Sequence, residues 1–438
     1  MFKGATRASV RMVERYLPDA FVLVLMLTLV VFAAGMLVEG QSPIAMMTYW
    51  GEGFWNLLAF SMQMVLILVT GFVVASTPPF RKLLRALARL PRTPGQAIIL
   101  VTLVSLVAAW INWGFGLVIG AFFARELGRQ VEGLDYRLAI ASAYSGFMIW
   151  HGGLSGSIPL VIATEGHFAQ ELIGIIPTSE TLFSTLNLGI LLGLLLAIPL
   201  VNRLIMPSPE ETVTVDPARL AETEDDGADS TTLANGMDDS RLISILAGGL
   251  GLLYVAHYFL AADGGLNLNI MNFTLLFAGI LLHGRPTLFL AAMKKAIEGA
   301  GGIVIQFPFY AGIMGMMVGS GLAVTLSSGF VAISTEQTFP LFTFLSAGIV
   351  NIFVPSGGGQ WAVQAPIVLD AAAALGVSPA RAALAVAWGD TWTNLIQPFW
   401  ALPILAIAGL SAKDIMGFCL IVLVVTGVII GGGLTFLP

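Results

Sequence analysis

Apolar runs long enough to cross a lipid bilayer recur from one end of this sequence to the other. A hydrocarbon core of about 30 Å is crossed by about 20 helical residues. Hydrophobic residues make up 57% of the chain and charged residues only 11%, whereas a soluble domain carries about 25% charged residues. Because backbone groups in lipid must be paired within the protein, the sequence predicts an all-α protein that crosses a membrane many times.

The positions of the apolar runs predict nine crossings. Two further apolar segments, 95–128 and 338–375, are interrupted near their middle by NWGFG and PSGGG. Neither has room for two full spans, so each is expected to enter and leave on the same side as a re-entrant hairpin. The nine crossings are predicted at 20–38, 54–77, 137–163, 181–206, 242–262, 267–283, 300–324, 379–405 and 414–435.

The positions of the Lys and Arg residues test the predicted number and direction of the crossings, because these residues concentrate in loops on the cytoplasmic side. With the N-terminus inside, nineteen of the twenty Lys and Arg residues fall on the inner face, and Arg381 alone lies outside. The N-terminus is therefore expected in the cytoplasm and the C-terminus on the opposite side.

Residues 207–241 have a different composition, with ten acids and few large apolar side chains. Such a segment cannot bury enough surface to fold, so it is predicted to be a disordered cytoplasmic linker. It divides the chain into a first transmembrane repeat (1–206), the linker, a connecting helix (242–262) and a second repeat (263–438).

The two halves resemble each other. RLAIASAYSGFMIWHGGLSGSIP, which begins at Arg137, parallels RAALAVAWGDTWTNLIQPFWALP, which begins at Arg381. Both halves have the order span, surface helix, span, interrupted hairpin, broken helix, span. Four crossings in each half, with one connecting helix between them, make the second repeat start from the opposite face, which predicts an inverted repeat.

Irregular backbone at membrane depth survives only where it lines a cavity or is walled by protein. In transporters with inverted repeats, such breaks hold the substrate and the coupling ion. Glycines let backbone amides face a ligand, and successive free amides attract anions. We therefore expect substrate contacts from the two glycine-rich breaks and a nearby indole: His151, Gly152, Gly153, Ser155, Ser157, Ser356, Gly357, Gly358, Gly359, Gln360 and Trp392.

Asp390 is an ionisable residue within a span, which indicates function by default. Its neighbours supply oxygen ligands suited to a hard cation such as Na+, and a desolvated carboxyl could instead take up a proton. Capping of the half-helix after Gly389 is the structural alternative, and His151 could likewise make only a structural hydrogen bond. The expected ion-coupling residues are Asn112, Asn351, Asp390, Thr391, Thr393 and Asn394, with Na+ placed at Asn112, Asn351, Thr391 and Asn394.

The substrate class is narrowed by what the spans lack. No Lys or Arg falls at the middle of a predicted span, so a multiply charged anion would find no paired cation there. Amides, hydroxyls and helix ends could hold one carboxylate. Aromatic residues around the breaks could together form an apolar pocket for a short alkyl tail; these are Trp110, Trp113, Trp150, Trp361, Trp388, Trp392, Trp400, Phe115 and Phe399.

Three motifs together carry a resemblance that covers almost the whole chain: HGGLSGSIPL, NIFVPSGGGQWAVQAPI and WGDTWTNLIQPFWALP. They resemble the bacterial short-chain fatty acid uptake family of the ion transporter superfamily. The resemblance implies a secondary transporter for acids such as butyrate or acetoacetate in the bacterial inner membrane, with ion and substrate shells at the hairpin tips. The tips here read NWG and NIFVPSG rather than the superfamily's Ser-Asn-Thr, so the coupling ion, H+ or Na+, stays open.

Two alternatives from other classes remain. Gly153 to Gly156 matches the GxSG pattern of intramembrane serine proteases, with Ser155 as nucleophile and His257 as base. A passive weak-acid channel is the other. No nucleotide-binding loop, metalloenzyme spacing or nucleic-acid signature is visible, so no cofactor beyond the coupling ion is expected. The partners expected are a small monocarboxylate and lipid, and the apolar faces would also suit a homodimer.

Overall fold

The computed structural model describes residues 20–215, 237–354 and 356–438, which form helices and no strands. The described residues of the first half form ten α-helices, and a 3-10 helix lies between the seventh and the eighth. These are α1 Ala20–Leu37, α2 Pro43–Gly53, α3 Leu58–Ala75, α4 Pro78–Leu87, α5 Pro94–Ile111, α6 Trp113–Gln130, α7 Tyr136–Ser145, the 3-10 helix Gly146–Gly152, α8 Ser157–Ile162, α9 Gln170–Ile173 and α10 Thr185–Leu204.

A connecting helix, α11 Arg241–Leu260, leads into the second half, where the same order returns. Its helices are α12 Leu268–His283, α13 Pro286–Ile297 with the 3-10 turn Glu298–Ala300, α14 Gly301–Ser320, α15 Leu322–Ile333, α16 Phe339–Phe353, α17 Gly357–Leu375, α18 Pro379–Asn394, α19 Pro398–Ala408 and α20 Ala412–Phe436. The short helix α15, which was not predicted, corresponds in order to α4.

Six stretches of helix in the described part are long and apolar enough to cross a membrane. They are Leu58–Ala75, Pro94–Ile111, Thr185–Leu204, Arg241–Leu260, Pro286–Ser320 and Ala412–Phe436, and shorter apolar helices occur at Val24–Leu37, Leu268–His283 and Phe339–Ile352. Together with the two broken helices they form a multi-pass helical protein, as the apolar runs predicted.

The first predicted hairpin is two helices, α5 and α6, that pack against each other and meet at Asn112. The Asn112 side chain accepts from the Phe115 amide at 2.8 Å and donates to the Ile67 carbonyl at 3.1 Å. Because Ile67 lies near the middle of α3, the hairpin tip sits at mid-depth beside a full span. This depth supports a re-entrant hairpin.

The expectation that the glycines after Pro355 form an irregular loop is wrong, because they begin a helix. Ser356 is the N-cap of α17, and its hydroxyl accepts from the Gly359 amide at 3.3 Å. The first turn of a helix needs no upstream partners for its amides, so glycines are tolerated there when a serine caps them. The irregular backbone is confined to the junction between α16 and α17.

The break in the second broken helix is confined to the last part of the stretch expected to be irregular, Gly389 to Pro398. Asp390 is inside α18, which continues to Asn394, and only residues 395–397 are irregular. Pro398 explains this position, because it has no amide hydrogen to donate to the carbonyl four residues back. Asp390 therefore does not cap a helix that starts after Gly389.

The contacts of α14 with helices of the first half have counterparts in which the corresponding helices of the two halves have changed places. Helix α14 packs against α1 and α2, and its counterpart α3 packs against α12 and α13, the counterparts of α1 and α2. A two-fold axis relating the halves requires this reciprocity. The pattern agrees with two related halves joined through the single helix α11, and their opposite orientation stays a prediction.

The start of the predicted linker is ordered. The Val213 amide donates to the Asp135 carboxylate at 2.9 Å, and the Val213 carbonyl accepts from the Tyr136 amide at 2.9 Å. Residues 207–215 therefore contact the base of α7, and residues 216–236 lie outside the described ranges.

Candidate transport site

The two broken helices, one from each half, meet at the centre of the molecule. The Thr391 hydroxyl donates to the Met148 carbonyl at 2.9 Å. The Tyr144 hydroxyl donates to the Asn394 carbonyl and lies 3.3 Å from that of Gln397. The carbonyls left free by the break before Pro398 are thus satisfied from the opposite half.

A buried chain of three side chains crosses this contact. His151 Nδ1 lies 3.0 Å from Asp390 Oδ2, and His151 Nε2 lies 3.0 Å from Ser157 Oγ. All three residues are buried. The Ile158 amide donates to Nε2 at 3.2 Å, so the proton of the neutral ring lies on Nδ1 and points at Asp390.

The second oxygen of Asp390 has no hydrogen-bond partner among the described residues. An ionised carboxylate at this depth, beside a neutral imidazole, is a costly buried charge. Uptake of one proton by the Asp390–His151 pair removes that charge. The pair therefore has the geometry of a proton-binding site shared by the two halves.

The second hairpin tip contacts the same helix. Asn351 Nδ2 lies 2.8 Å from the Asp390 carbonyl, 2.9 Å from Thr393 Oγ1 and 2.7 Å from Asn394 Oδ1. Gln397 in turn donates to the Asn351 carbonyl. The tip of α16 is thereby fastened to the break in its own repeat.

The first hairpin tip is fastened in the equivalent way. The Ser155 hydroxyl accepts from the Trp113 amide at 2.9 Å, and the Leu154 amide donates to the Trp110 carbonyl at 2.7 Å. The side-chain oxygen of Asn112 accepts a hydrogen bond within this tip, and its side-chain nitrogen donates one to α3. Asn112 and Ser155 therefore position the hairpin.

A small cavity of about 30 Å³ lies beside His151 and Ser157, between the two hairpins. Three indoles and the ring of Phe307 form its apolar wall, and its polar groups are hydroxyls, one amide side chain and helix-end glycines. It is lined by Met64, Trp113, Trp150, Ser157, Gly302, Ile303, Gln306, Phe307, Ser356, Gly357, Gly358 and Trp400. No Lys, Arg, Asp or Glu belongs to this lining.

The glycines of α17 are needed for close packing at the cavity. A Cβ on Gly357 would stand 2.6 Å from His151 Cε1 and 2.7 Å from Ser157 Oγ. A Cβ on Gly359 would collide with the Tyr310 ring, at 2.6 Å from its Cε2 and closer still to Cδ2. Only glycine therefore lets the amino end of α17 reach His151.

Several predicted site residues lie elsewhere. The Trp392 indole donates to the Leu423 carbonyl at 2.8 Å and packs on Phe344, away from the cavity. Gln360 bonds the Ala347 carbonyl at 2.8 Å, inside the second hairpin. Gly152 and Gly153 provide close packing, against Trp388 and Trp110 respectively.

The predicted Na+ ligands do not form one shell. Asn112 is bonded to α3 and α6, whereas Asn351 and Asn394 are bonded to each other in the second half. Thr391 donates its hydroxyl hydrogen to the first half. In the described ranges, these contacts bring Asn351, Asp390, Thr393 and Asn394 together and leave Asn112 at the other tip.

The serine protease alternative is wrong. The Ser155 hydroxyl is engaged by the Trp113 amide, while His257 is exposed on α11, a helix that packs on α12 and α13. A general base must lie within hydrogen-bond reach of its nucleophile.

Tyr144 and Gln397 are site residues that the sequence interpretation missed. Tyr144 is a hydroxyl-bearing residue two turns before His151 on an apolar helix, and Gln397 directly precedes Pro398. Carbonyls freed by that proline need donors, and this need is the signal that could have identified both residues.

Comparisons with known proteins give a consistent picture. A profile of the family described as "Short chain fatty acid transporter" matches residues 1–437. A protein of Escherichia coli (strain K12) named "Putative short-chain fatty acid transporter" is 45% identical over 99% of this chain and 100% of its own length. A protein of the same name from Haemophilus influenzae is 43% identical, with 100% of both chains covered.

Two solved transporters share the fold. The Alcanivorax borkumensis YdaH transporter superposes with a TM-score of 0.61, at 16% identity, over 94% of this chain and 98% of its own. Neisseria gonorrhoeae MtrF, whose structure is described as illuminating a class of antimetabolite efflux pumps, superposes with a TM-score of 0.51, at 14% identity, over 98% and 97%.

Proposed function

Since this chain belongs to the short-chain fatty acid transporter family, we propose that it takes up short-chain monocarboxylates, such as butyrate or acetoacetate, by ion-coupled alternating access. The membrane proposed is the bacterial inner membrane, with the N-terminus in the cytoplasm. The observation that carries the proposal is the cavity between the hairpins, which combines an indole wall with hydroxyls and the amino end of α17.

The polar side of the cavity suits one carboxylate. Among the described residues no hydrogen bond is recorded to the amides of Gly357 and Gly358, and Ser157 and Ser356 present hydroxyls beside them. Free amides at a helix start carry partial positive charge and bind anions. At about 30 Å³ the cavity has room for about two water molecules, so we propose that it widens when substrate enters and that the indoles of Trp113, Trp150 and Trp400 then contact the alkyl chain.

We propose a proton as the coupling ion. The substrate anion carries one negative charge, and one proton taken up by the Asp390–His151 pair balances it, so loading leaves the net charge of the site unchanged. Binding the anion together with a proton therefore avoids the large cost of adding a second buried negative charge in a medium of low dielectric constant. Ser157 touches both His151 and the cavity, and so links the proton site to the substrate site.

Alternating access is supported by the bonds that join the halves. His151–Asp390, Thr391–Met148 and Tyr144–Asn394 each link a residue of the first half to one of the second. A movement of one half against the other would exchange these bonds around the cavity, as in other transporters with inverted repeats.

Equilibrium binding of labelled butyrate to the purified protein tests the substrate class. Unlabelled butyrate and acetoacetate are expected to compete, whereas succinate should bind at least about a hundredfold more weakly because its second carboxylate would be buried without a cation. Ser157→Ala should weaken butyrate binding, and Ser328→Ala, which removes an exposed hydroxyl on α15, should not. Equal competition by succinate would contradict the proposal.

A further inference from the structure

A second concave region lies at the inner ends of α3 and α12 and shares no lining residue with the transport cavity. It is an open groove of about 450 Å³ between α4 of the first half and α13 of the second. It is lined by Phe72, Ser76, Pro78, Arg81, Lys82, Arg85, Phe122, His283, Leu288, Ala291, Ala292 and Lys295. Nothing in the proposed transport mechanism uses these residues.

The rim of this groove is strongly basic. Arg81, Lys82 and Arg85 project from α4, and Lys295 faces them from α13, while the lining contains no Asp or Glu. No salt bridge of Lys82 or Lys295 is recorded in the described ranges. The carboxyl ends of α3 and α12 carry partial negative charge, which the charges of Lys82 and Lys295 outweigh. The rim therefore attracts an anion.

The floor of the groove is apolar. Phe72, Phe122, Leu288, Ala291 and Ala292 form it. The Arg81 guanidinium lies 5.4 Å from the centre of the Phe122 ring, so its charge stands above this floor. A soluble anion without an apolar part would make no favourable contact with this surface.

Leucines at and beside the groove are exposed. Leu83 on α4 is 49% exposed, and Leu288 and Leu290 on α13 are 45% and 54% exposed. Exposed leucines beside a row of cations are typical of helices that lie in the membrane interface. An occupant with both an anionic head and an acyl tail therefore matches the rim, the floor and the opening.

We propose that this groove binds an anionic phospholipid, with its phosphate between Lys82 and Lys295 and one acyl chain along Phe72, Phe122 and Leu288. Basic pockets between transmembrane helices on the cytoplasmic side are suited to such headgroups. The bound lipid bridges a helix of the first half and a helix of the second.

Native mass spectrometry of the full-length protein in detergent tests the site, with phosphatidylglycerol and phosphatidylcholine of identical acyl chains as probes. The double variant Lys82→Gln/Lys295→Gln should bind phosphatidylglycerol about 25-fold more weakly, at about fivefold for each charge removed. The matched control, Arg89→Gln/Lys294→Gln, removes two exposed charges of the same face that do not line the groove. It should bind within about twofold of the unmodified protein.

Three results would overturn the proposal. Unchanged phosphatidylglycerol binding in the double variant would show that the groove is not the site, and an equal loss in the control would show unspecific attraction to a basic face. Displacement of the lipid by an equimolar concentration of inorganic phosphate would show that the acyl chain contributes nothing, and would identify a soluble anion instead. Monodispersity on size-exclusion chromatography confirms that each variant is folded before it is compared.

Discussion

Asp390 is the residue on which the coupling proposal depends. Its neighbours fix its environment: His151 directs a ring proton toward it, and Asn351 bonds its backbone carbonyl. Asp390 is fully buried, and one of its oxygens has no partner among the described residues. Under the coupling proposal, this buried carboxyl is the group that gains and loses the proton during transport.

Replacing Asp390 by Asn should therefore abolish accumulation driven by a proton gradient. Asn keeps an acceptor for the His151 ring but cannot gain or lose a proton, so uptake of labelled butyrate into proteoliposomes should fall to the level of protein-free vesicles. The matched control is Asp370→Asn, which alters an exposed carboxylate on α17. Normal concentrative uptake by the Asp390→Asn protein would return Asp390 to a structural role.

Gly357 gives a second test of the site. In Gly357→Ala the new methyl group meets His151 Cε1 and Ser157 Oγ, and overpacking of about 1–3 kcal/mol is expected. Butyrate affinity should fall on the order of tenfold, measured by equilibrium binding. Gly249→Ala places a methyl group in open space on α11 and should bind normally. Unchanged butyrate affinity in Gly357→Ala would show that the amino end of α17 is not part of the substrate site.

How far these residues could be predicted depended on their chemistry. His151, Ser157, Ser356, Gly357 and Gly358 were all predicted, because ionisable, hydroxyl and glycine residues are conspicuous in an apolar sequence. Trp392 was assigned to the cavity, but an indole in a span packs in many ways, and its direction depends on helix rotation. Tyr144 was missed because its role is to satisfy carbonyls freed in the other half.

The helices themselves were largely predictable from apolar length. The exceptions are positions where a capping residue or a proline determines where a helix begins or ends. Ser356 caps α17 at a point where the glycines suggested a loop, and Pro398 moved the break of the second broken helix to residues 395–397. The helix α15 went unpredicted because it continues the apolar composition of α14 beyond Gly321, whose left-handed conformation ends that helix.

The junction of the broken helices depends on one hydroxyl group. Tyr144→Phe removes the donor from the first half, while the Asn394 carbonyl keeps its bond from the Gln397 amide, so the free energy of unfolding should fall by about 0.5–1.5 kcal/mol. Denaturant titration of the purified protein measures this change. Tyr258→Phe removes a hydroxyl bonded to the Gly265 carbonyl at the edge of the molecule and should cost less. An equal loss in both variants would show that the junction has no special dependence on Tyr144.

The arrangement of the whole molecule follows from two halves of similar order joined through one extra helix. Reciprocal packing of α14 on α1 and α2, and of α3 on α12 and α13, agrees with that arrangement. Arg381, the sole basic residue predicted outside, donates to the Leu434 and Leu437 carbonyls at 2.7 and 2.8 Å. Arg381 therefore caps the carboxyl end of α20, which explains why this one basic residue is predicted on the outer side of the membrane.

Opposite orientation of the halves can be tested with single cysteines. The chain's one native cysteine, Cys419, is buried, so a membrane-impermeant maleimide should report only introduced ones. Glu171→Cys and Glu336→Cys should be labelled on intact cells, whereas Arg89→Cys and Lys294→Cys should require permeabilisation. Labelling of Glu336→Cys only after permeabilisation, with Glu171→Cys accessible, would contradict the inverted repeat.

The most direct test of transport is uptake of labelled butyrate by proteoliposomes of the purified protein under separately imposed proton and Na+ gradients. Protein-free liposomes must be measured in parallel, because neutral butyric acid crosses lipid unaided. We predict accumulation above that leak under the proton gradient alone. Accumulation under the Na+ gradient alone would contradict proton coupling through Asp390, and no accumulation under either gradient would contradict ion-coupled uptake of short-chain fatty acids.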